Sequence, residues 1–186
     1  ANVTYGYTSA SFSGRMPMAE LADAIVSTGR ATLEHAKSIV EDPSAPWAPA
    51  EVLYGDTDSL FVHTPGRSTR AAFGIGNAIV NKINDDATTP REVVLKLEKV
   101  YQPCFLVAKK KYVGFAYSSP PAEPRDGASS GAKPSLDAKG IELARRDGCS
   151  FVTKQMEKAL RLMFRATRPD LSLVRRHLER QWSRAL

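Results

Sequence analysis

Asp56 and Asp58 stand two residues apart in Tyr54-Gly55-Asp56-Thr57-Asp58-Ser59, between the apolar runs Val52 to Tyr54 and Leu60 to Val62. Two carboxylates so close repel each other. A hard, oxygen-seeking ion such as Mg²⁺ relieves that repulsion and keeps coordination positions for water and phosphate oxygens. The elements that must position these acids are legible on either side. The flanking runs hold the β-branched and aromatic residues that favour strands. Gly55 permits tight-turn dihedrals, and Asp and Ser bond to nearby backbone in turns. The segment therefore reads as a β-hairpin with acids at its tip. On the Asp-x-Asp alone, a polar turn that only caps the hairpin remains open.

Charge is divided along the chain. Residues 1–95 hold 7 Lys and Arg against 11 Asp and Glu, a net of −4, whereas residues 96–186 hold 19 against 9, a net of +10. An acidic half suits a cation site. A basic half suits a phosphate backbone, since Lys and Arg that neutralise phosphates release condensed counterions; a solvated basic face has the same composition. No run approaches the roughly 20 apolar residues that span a bilayer, and the start lacks a signal-peptide layout, so no membrane is implied. Cys104 and Cys149 read as buried free thiols. His35, His63 and His177 have no zinc-site spacing.

The elements around the hairpin follow from periodicity. Pro17 opens a long helix whose stripe is Met18, Ala22, Ile25, Gly29, Leu33, Ala36 and Val40, ending near Asp42-Pro43. A second helix starts after Ser68 or Thr69 and buries Ala72, Gly76, Ile79 and Ile83. Val93 to Tyr101, Phe105 to Val107 and Val113 to Tyr117 read as strands, the last two flanking Lys109-Lys110-Lys111. The Pro, Gly and Ser content of residues 118–136 reads as a flexible insertion. Two more helices follow, on Val152, Met156, Ala159 and Met163, and on Leu171, Val174, Leu178 and Trp182. Helices on one face of a mostly antiparallel sheet make an α+β fold.

The whole hexapeptide Tyr54 to Ser59 resembles the palm metal-binding motif of B-family DNA polymerases. Asn2-Val3-Thr4-Tyr5-Gly6-Tyr7 resembles the end of that family's fingers motif, and Lys109-Lys110-Lys111-Tyr112 its primer-tracking Lys-Lys-Arg-Tyr element. Asp137-Ala138-Lys139-Gly140-Ile141-Glu142, followed by Arg145-Arg146-Asp147, is similar to the segment leading into the thumb. All occur in the family's order. Phe12-Ser13-Gly14-Arg15-Met16-Pro17 is most similar to the zeta-type, translesion-extending branch.

The resemblance implies a mostly antiparallel palm sheet with helices on one face and the first helices of an α-helical thumb. Residues 1–16 would end the fingers, 17–117 form the palm, 118–136 the insertion and 137–186 the palm-to-thumb segment and thumb start. It implies primer-template DNA and deoxynucleoside triphosphates as partners, and two Mg²⁺ ions, for which Mn²⁺ can substitute, bridged at about 3.5–4 Å. Asp58 would be the bridging ligand and Asp56 a supporting acid. Glu98 matches a position near the metals in some members, and could equally pair with Lys96 or Lys99. Asn2, Tyr5 and Gly6 would face the nucleotide. Lys109, Lys110, Lys111 and Tyr112 would follow the primer, with Lys111 where the family usually has Arg, and Lys139, Arg145 and Arg146 would contact duplex backbone.

The upstream palm aspartate motif and the fingers Lys and Arg do not occur here. The chain thus reads as a fragment, inactive alone. Accessory subunits, and any iron–sulfur cluster, would belong to regions outside it, and the nucleus is the implied location. Two alternatives remain open: a replicative polymerase of the delta type, and a non-catalytic basic nucleic-acid-binding module whose acids are structural.

Overall fold

A computed structural model of the chain describes residues 2–10, 16–56, 58–121, 134–141, 143, 148–165 and 171–185. It is an α+β chain with five helices and two antiparallel sheets among those residues. The chain divides into two compact units, Ala1–Glu98 and Lys99–Leu186. The acidic and basic halves of the sequence meet within three residues of that division.

The first unit opens with α1 (Asn2–Ser9) and α2 (Ala19–Val40). The Met18 N–H donates to the Thr8 carbonyl at 3.0 Å, so α1 ends against the start of α2. Pro17, without an N–H, lies just outside α2, whose N-cap is Met18. At its other end Asp42 bonds the Ser44 amide and hydroxyl at 2.8 and 2.7 Å, turning the chain. β1 (Glu51–Gly55) and β2 (Leu60–His63) then form the expected hairpin, and α3 (Thr69–Asn84) follows. Ser68 caps α3 by accepting from the Ala71 amide at 3.2 Å.

The core of this unit lies among α2, α3 and the hairpin. Ala36, Val40, Trp47, Ile79 and Ile83 are buried together, with Val52, Leu60, Val62 and Leu95 packed against them. The Trp47 indole donates to the Val40 carbonyl at 3.1 Å, satisfying one of the last carbonyls of α2.

The expected α2 stripe is only partly buried: Met18 and Ile25 are exposed, while Ala22, Ala36 and Val40 are buried. At about 1.5 Å per residue a 22-residue helix is about 33 Å long, and the core covers only its later turns. On α3 the buried positions are Phe73, Ile79 and Ile83. A Cβ on Gly76 would come within 2.9 Å of a Leu97 methyl, so the glycine makes room for Leu97.

The expected strand over Val93 to Tyr101 does not form as read: residues 93–99 join no ladder, and β3 (Val100–Ala108) begins at Val100. At Leu95 a side chain takes the place of a ladder partner. Asn84 accepts from the Leu95 N–H at 2.9 Å and donates to its carbonyl at 3.0 Å, taking the bonds a neighbouring strand would have made.

In the second unit β3 pairs with β4 (Lys111–Tyr117), which pairs with β5 (Ser135–Lys139), all antiparallel. β3 runs straight through the gap expected before Phe105. Pro103 has no N–H to give the ladder, and the register shifts between Tyr101 and Cys104. Most of the expected insertion, residues 122–133, lies outside the described residues; β5 takes up Ser135 and Leu136.

α4 (Ser150–Met163) and α5 (Leu171–Ala185) close the chain, joined by a His177 to Gln155 hydrogen bond at 3.0 Å. Val152, Leu171 and Trp182 of the expected stripes are exposed, and their middles, Met156, Ala159, Val174 and Leu178, are half-buried. Phe115 of β4 meets Phe164 edge to face at 5.7 Å. Cys104 and Cys149 are free, as expected, but exposed. Cys149 occupies the N-cap of α4, where the Val152 and Phe151 amides hold its thiol below the usual range.

Candidate metal hairpin and lysine turn

The acids sit where the strands turn over. β1 and β2 pair from Glu51 opposite His63 to Gly55 opposite Leu60, with a register shift between Val52 and Tyr54. That irregularity adds one residue to β1, and Tyr54 meets the Phe61 ring at 5.6 Å. The Asp56 N–H donates to the Ser59 carbonyl at 2.9 Å and closes the turn. Asp56 is half-buried, Asp58 is exposed, and Thr57 lies outside the described residues.

Two carboxylates on a short, closed turn supply hard oxygen donors only. They suit a divalent cation that keeps water or phosphate oxygens in its other positions. They cannot complete a site alone, and among the described residues no group of three or more His, Cys, Asp and Glu side chains is placed to hold a metal. Glu98, exposed ahead of β3, is thus not gathered with Asp56 and Asp58. Lys99, one of the partners open to it, pairs with Asp137 at 2.7 Å.

Tyr5 and Gly6 lie on the open side of α1. Tyr5 is exposed, and nothing stands within 4 Å of where a Gly6 Cβ would be. Thr8, by contrast, is buried, its hydroxyl bonded to the carbonyls of Thr4 and Tyr5 at 3.1 Å. Asn2 is the first residue of α1. Among the described elements α1 packs on α2 alone, and it is α2 that also touches β1 and β2. Tyr5 and Gly6 are therefore joined to the acidic tip through α2.

In the second unit the lysines collect at one end of the three-stranded sheet. Lys109 and Lys110 make the β3–β4 turn, Lys111 pairs with Ala108, and Lys139 pairs with Tyr112. All four lysines are exposed. Lys110 has φ of 60°, the only described non-glycine residue in the left-handed region. That conformation costs an L-residue roughly 1–2 kcal/mol. Gly140, at φ 63°, lies beside it: a Cβ there would collide with the Lys110 carbonyl oxygen and come within 3.1 Å of the Lys111 Cγ. Arg145 and Arg146 lie outside the described residues.

Behind this turn is a polar network that sequence reasoning did not single out. Asp137 accepts from Lys99 at 2.7 Å and from the Tyr101 hydroxyl at 2.8 Å, and the Tyr101 ring meets Tyr112 edge to face at 6.0 Å. Burial would raise the Asp137 carboxyl, but Lys99 and Tyr101 outweigh it and hold it below the ordinary carboxylate range. Burial, then Asp137, pushes the Tyr101 phenol above its usual value. Asp137 and Gly140 lay within a recognised segment. Nothing in their spacing revealed what they touch.

The acidic hairpin and the lysine turn thus sit on the elements expected of them, and known sequences agree. The pattern of DNA polymerase family B matches residues 1–184. The chain is 51% identical over all of its 186 residues to the DNA polymerase zeta catalytic subunit of Arabidopsis thaliana, and 50% identical over 98% of its length to that of Saccharomyces cerevisiae. It is 34% identical over 86% of its length to the DNA polymerase delta catalytic subunit of Glycine max. It spans 9%, 11% and 14% of those proteins. An acidic hairpin tip, a lysine turn and a match running almost end to end lead to one conclusion: the chain belongs to DNA polymerase family B.

Proposed function

We propose that this chain is the palm portion, with the end of the fingers and the start of the thumb, of a DNA-directed DNA polymerase of the zeta type. Residues 1–16 would end the fingers, 17–117 form the palm, 118–136 an insertion, and 137–186 lead into the thumb. The observation that carries the reading is the Tyr54 to Ser59 hairpin, whose tip presents two carboxylates while its strands stand on a closed apolar core. Higher identity to zeta than to delta subunits supports the branch.

Bound at this tip with other ligands, two Mg²⁺ or Mn²⁺ ions would favour the primer 3′-oxygen as nucleophile and neutralise the triphosphate. Asp58 would be the principal ligand holding them, and Asp56 would support it through the same closed turn. Tyr5 offers a ring face to the nascent base pair, Gly6 lets it come close, and Asn2 helps hold the triphosphate. Lys109, Lys110, Lys111, Tyr112 and Lys139 follow the primer strand, and Arg145 and Arg146 the duplex backbone. Accessory subunits dock on other parts of the complete protein, which works in the nucleus on lesion bypass.

In the complete catalytic subunit, Asp58→Ala should abolish single-turnover incorporation and leave primer-template affinity within several-fold. A metal ligand acts mainly on the transition state, whereas grip comes from the basic unit. Substantial incorporation by the variant would exclude the assignment and favour a non-catalytic binding module.

A further inference from the structure

We infer that Gly140 is a positioning residue for primer binding: its bare backbone is the seat against which the Lys109–Lys110 turn is held. The inference rests on the proposed role of those lysines in gripping DNA, and it concerns a residue that would touch no nucleic acid itself. Three observations carry it. Lys110 is held left-handed, at φ 60°, where glycine or asparagine is the ordinary choice, so a contact that pins the turn offsets the cost of that conformation. The Lys110 carbonyl oxygen lies where a Gly140 Cβ would be, and the Lys111 Cγ stands 3.1 Å from the same point. Gly140 directly follows Lys139, which pairs with Tyr112, so the seat is tied by the β4–β5 ladder to the strand that leaves the turn. The turn is therefore locked from two sides, by its hairpin and by the end of β5.

Any side chain at 140 must push the Lys110 peptide away and swing both turn lysines off their line. Carbonyl and ladder are backbone, so neither can yield as a side-chain tip would. The contact spans thirty residues of sequence, and it converts the end of β5 into part of the grip.

The test compares variants of the complete catalytic subunit in primer-template titrations from low to moderate salt. Gly66→Ala is the control: Gly66 shares the left-handed backbone, at φ 70°, but has nothing within 4 Å of a Cβ. Gly140→Ala should weaken binding about tenfold and lower the log–log salt slope by about 0.9 to 1.8, one to two phosphate contacts. At saturating primer-template its single-turnover rate should stay near wild type. Gly66→Ala should leave the slope unchanged. A melting temperature lowered by Gly140→Ala with an unchanged slope would make Gly140 a folding residue only and overturn the inference.

Should Gly140→Ala not fold, Lys110→Gly and Lys110→Ala decide the matter. If the seat holds the turn, both lose the same slope, one contact; a clearly larger loss for Lys110→Gly would mean that the turn is not held from outside, and would overturn the inference. The underlying reading has its own arm. Lys109→Ala with Lys110→Ala should lower the slope by about 1.8. An unchanged slope there would refute the lysine grip itself, whereas a lowered slope beside an unaffected Gly140→Ala would refute only the seat.

Discussion

Asp137 is the residue on which the second unit's polar order turns. Its carboxylate is mostly covered and holds both the Lys99 ammonium and the Tyr101 hydroxyl. Because its folded pKa lies below the unfolded value near 3.9, the unfolded state binds more protons in acid. Its stabilisation is then complete above that value and is lost as pH falls through the folded one. Asp137→Asn should cost about 2 kcal/mol at pH 7, since an uncharged amide replaces two charge-assisted bonds. It should also flatten the loss of stability below about pH 4, where wild type protonates this group. Thermal melts across pH would check both; an equally steep acid limb in the variant would locate the titration elsewhere.

Among the elements, the segment from residue 93 to 99 shows how one side chain can take over the backbone bonds of a residue that reads as strand. The Asn84 amide meets both backbone groups of Leu95, and Leu97 fills the space left by Gly76. Asn84→Asp keeps the acceptor for the Leu95 N–H but sets a carboxylate against its carbonyl. It should destabilise the first unit by about 2 kcal/mol at pH 7, and less as pH falls below about 3.9, where the acid protonates and can donate again. Hydrogen exchange at the Leu95 amide would follow the change directly.

The hairpin was legible because its information is local: two apolar runs, a glycine and two acids in eleven residues. The two aspartates and the lysine turn were readable for the same reason. Val93 to Tyr101 was not, because alternation records which residues could line a sheet and not whether a neighbouring amide has already claimed the backbone. The α2 stripe overreached because periodicity carries no information on where a core ends. Gly140 stayed silent because its reason is a carbonyl thirty residues away.

Across the whole chain, charge and contact boundaries nearly coincide: residues 1–98 hold 8 basic and 12 acidic side chains, residues 99–186 hold 18 and 8. Cation dependence and salt dependence should therefore separate. In the complete subunit, chelating Mg²⁺ should stop incorporation while primer-template affinity stays within several-fold. Raising salt should weaken affinity steeply while, at saturating DNA, the Mg²⁺ requirement hardly moves. Parallel shifts of both quantities in each titration would show that one surface serves both tasks.

The burial of Trp47 has an optical consequence. The chain has two tryptophans, one in each unit: Trp47 is 7% exposed and Trp182 57%. Trp47 should emit in the blue and resist acrylamide, whereas Trp182 should emit in the red and be quenched readily. Intrinsic fluorescence thus carries two separable signals, and a denaturant titration that moves only the blue component reports the unit bearing Asp56 and Asp58 without any attached label.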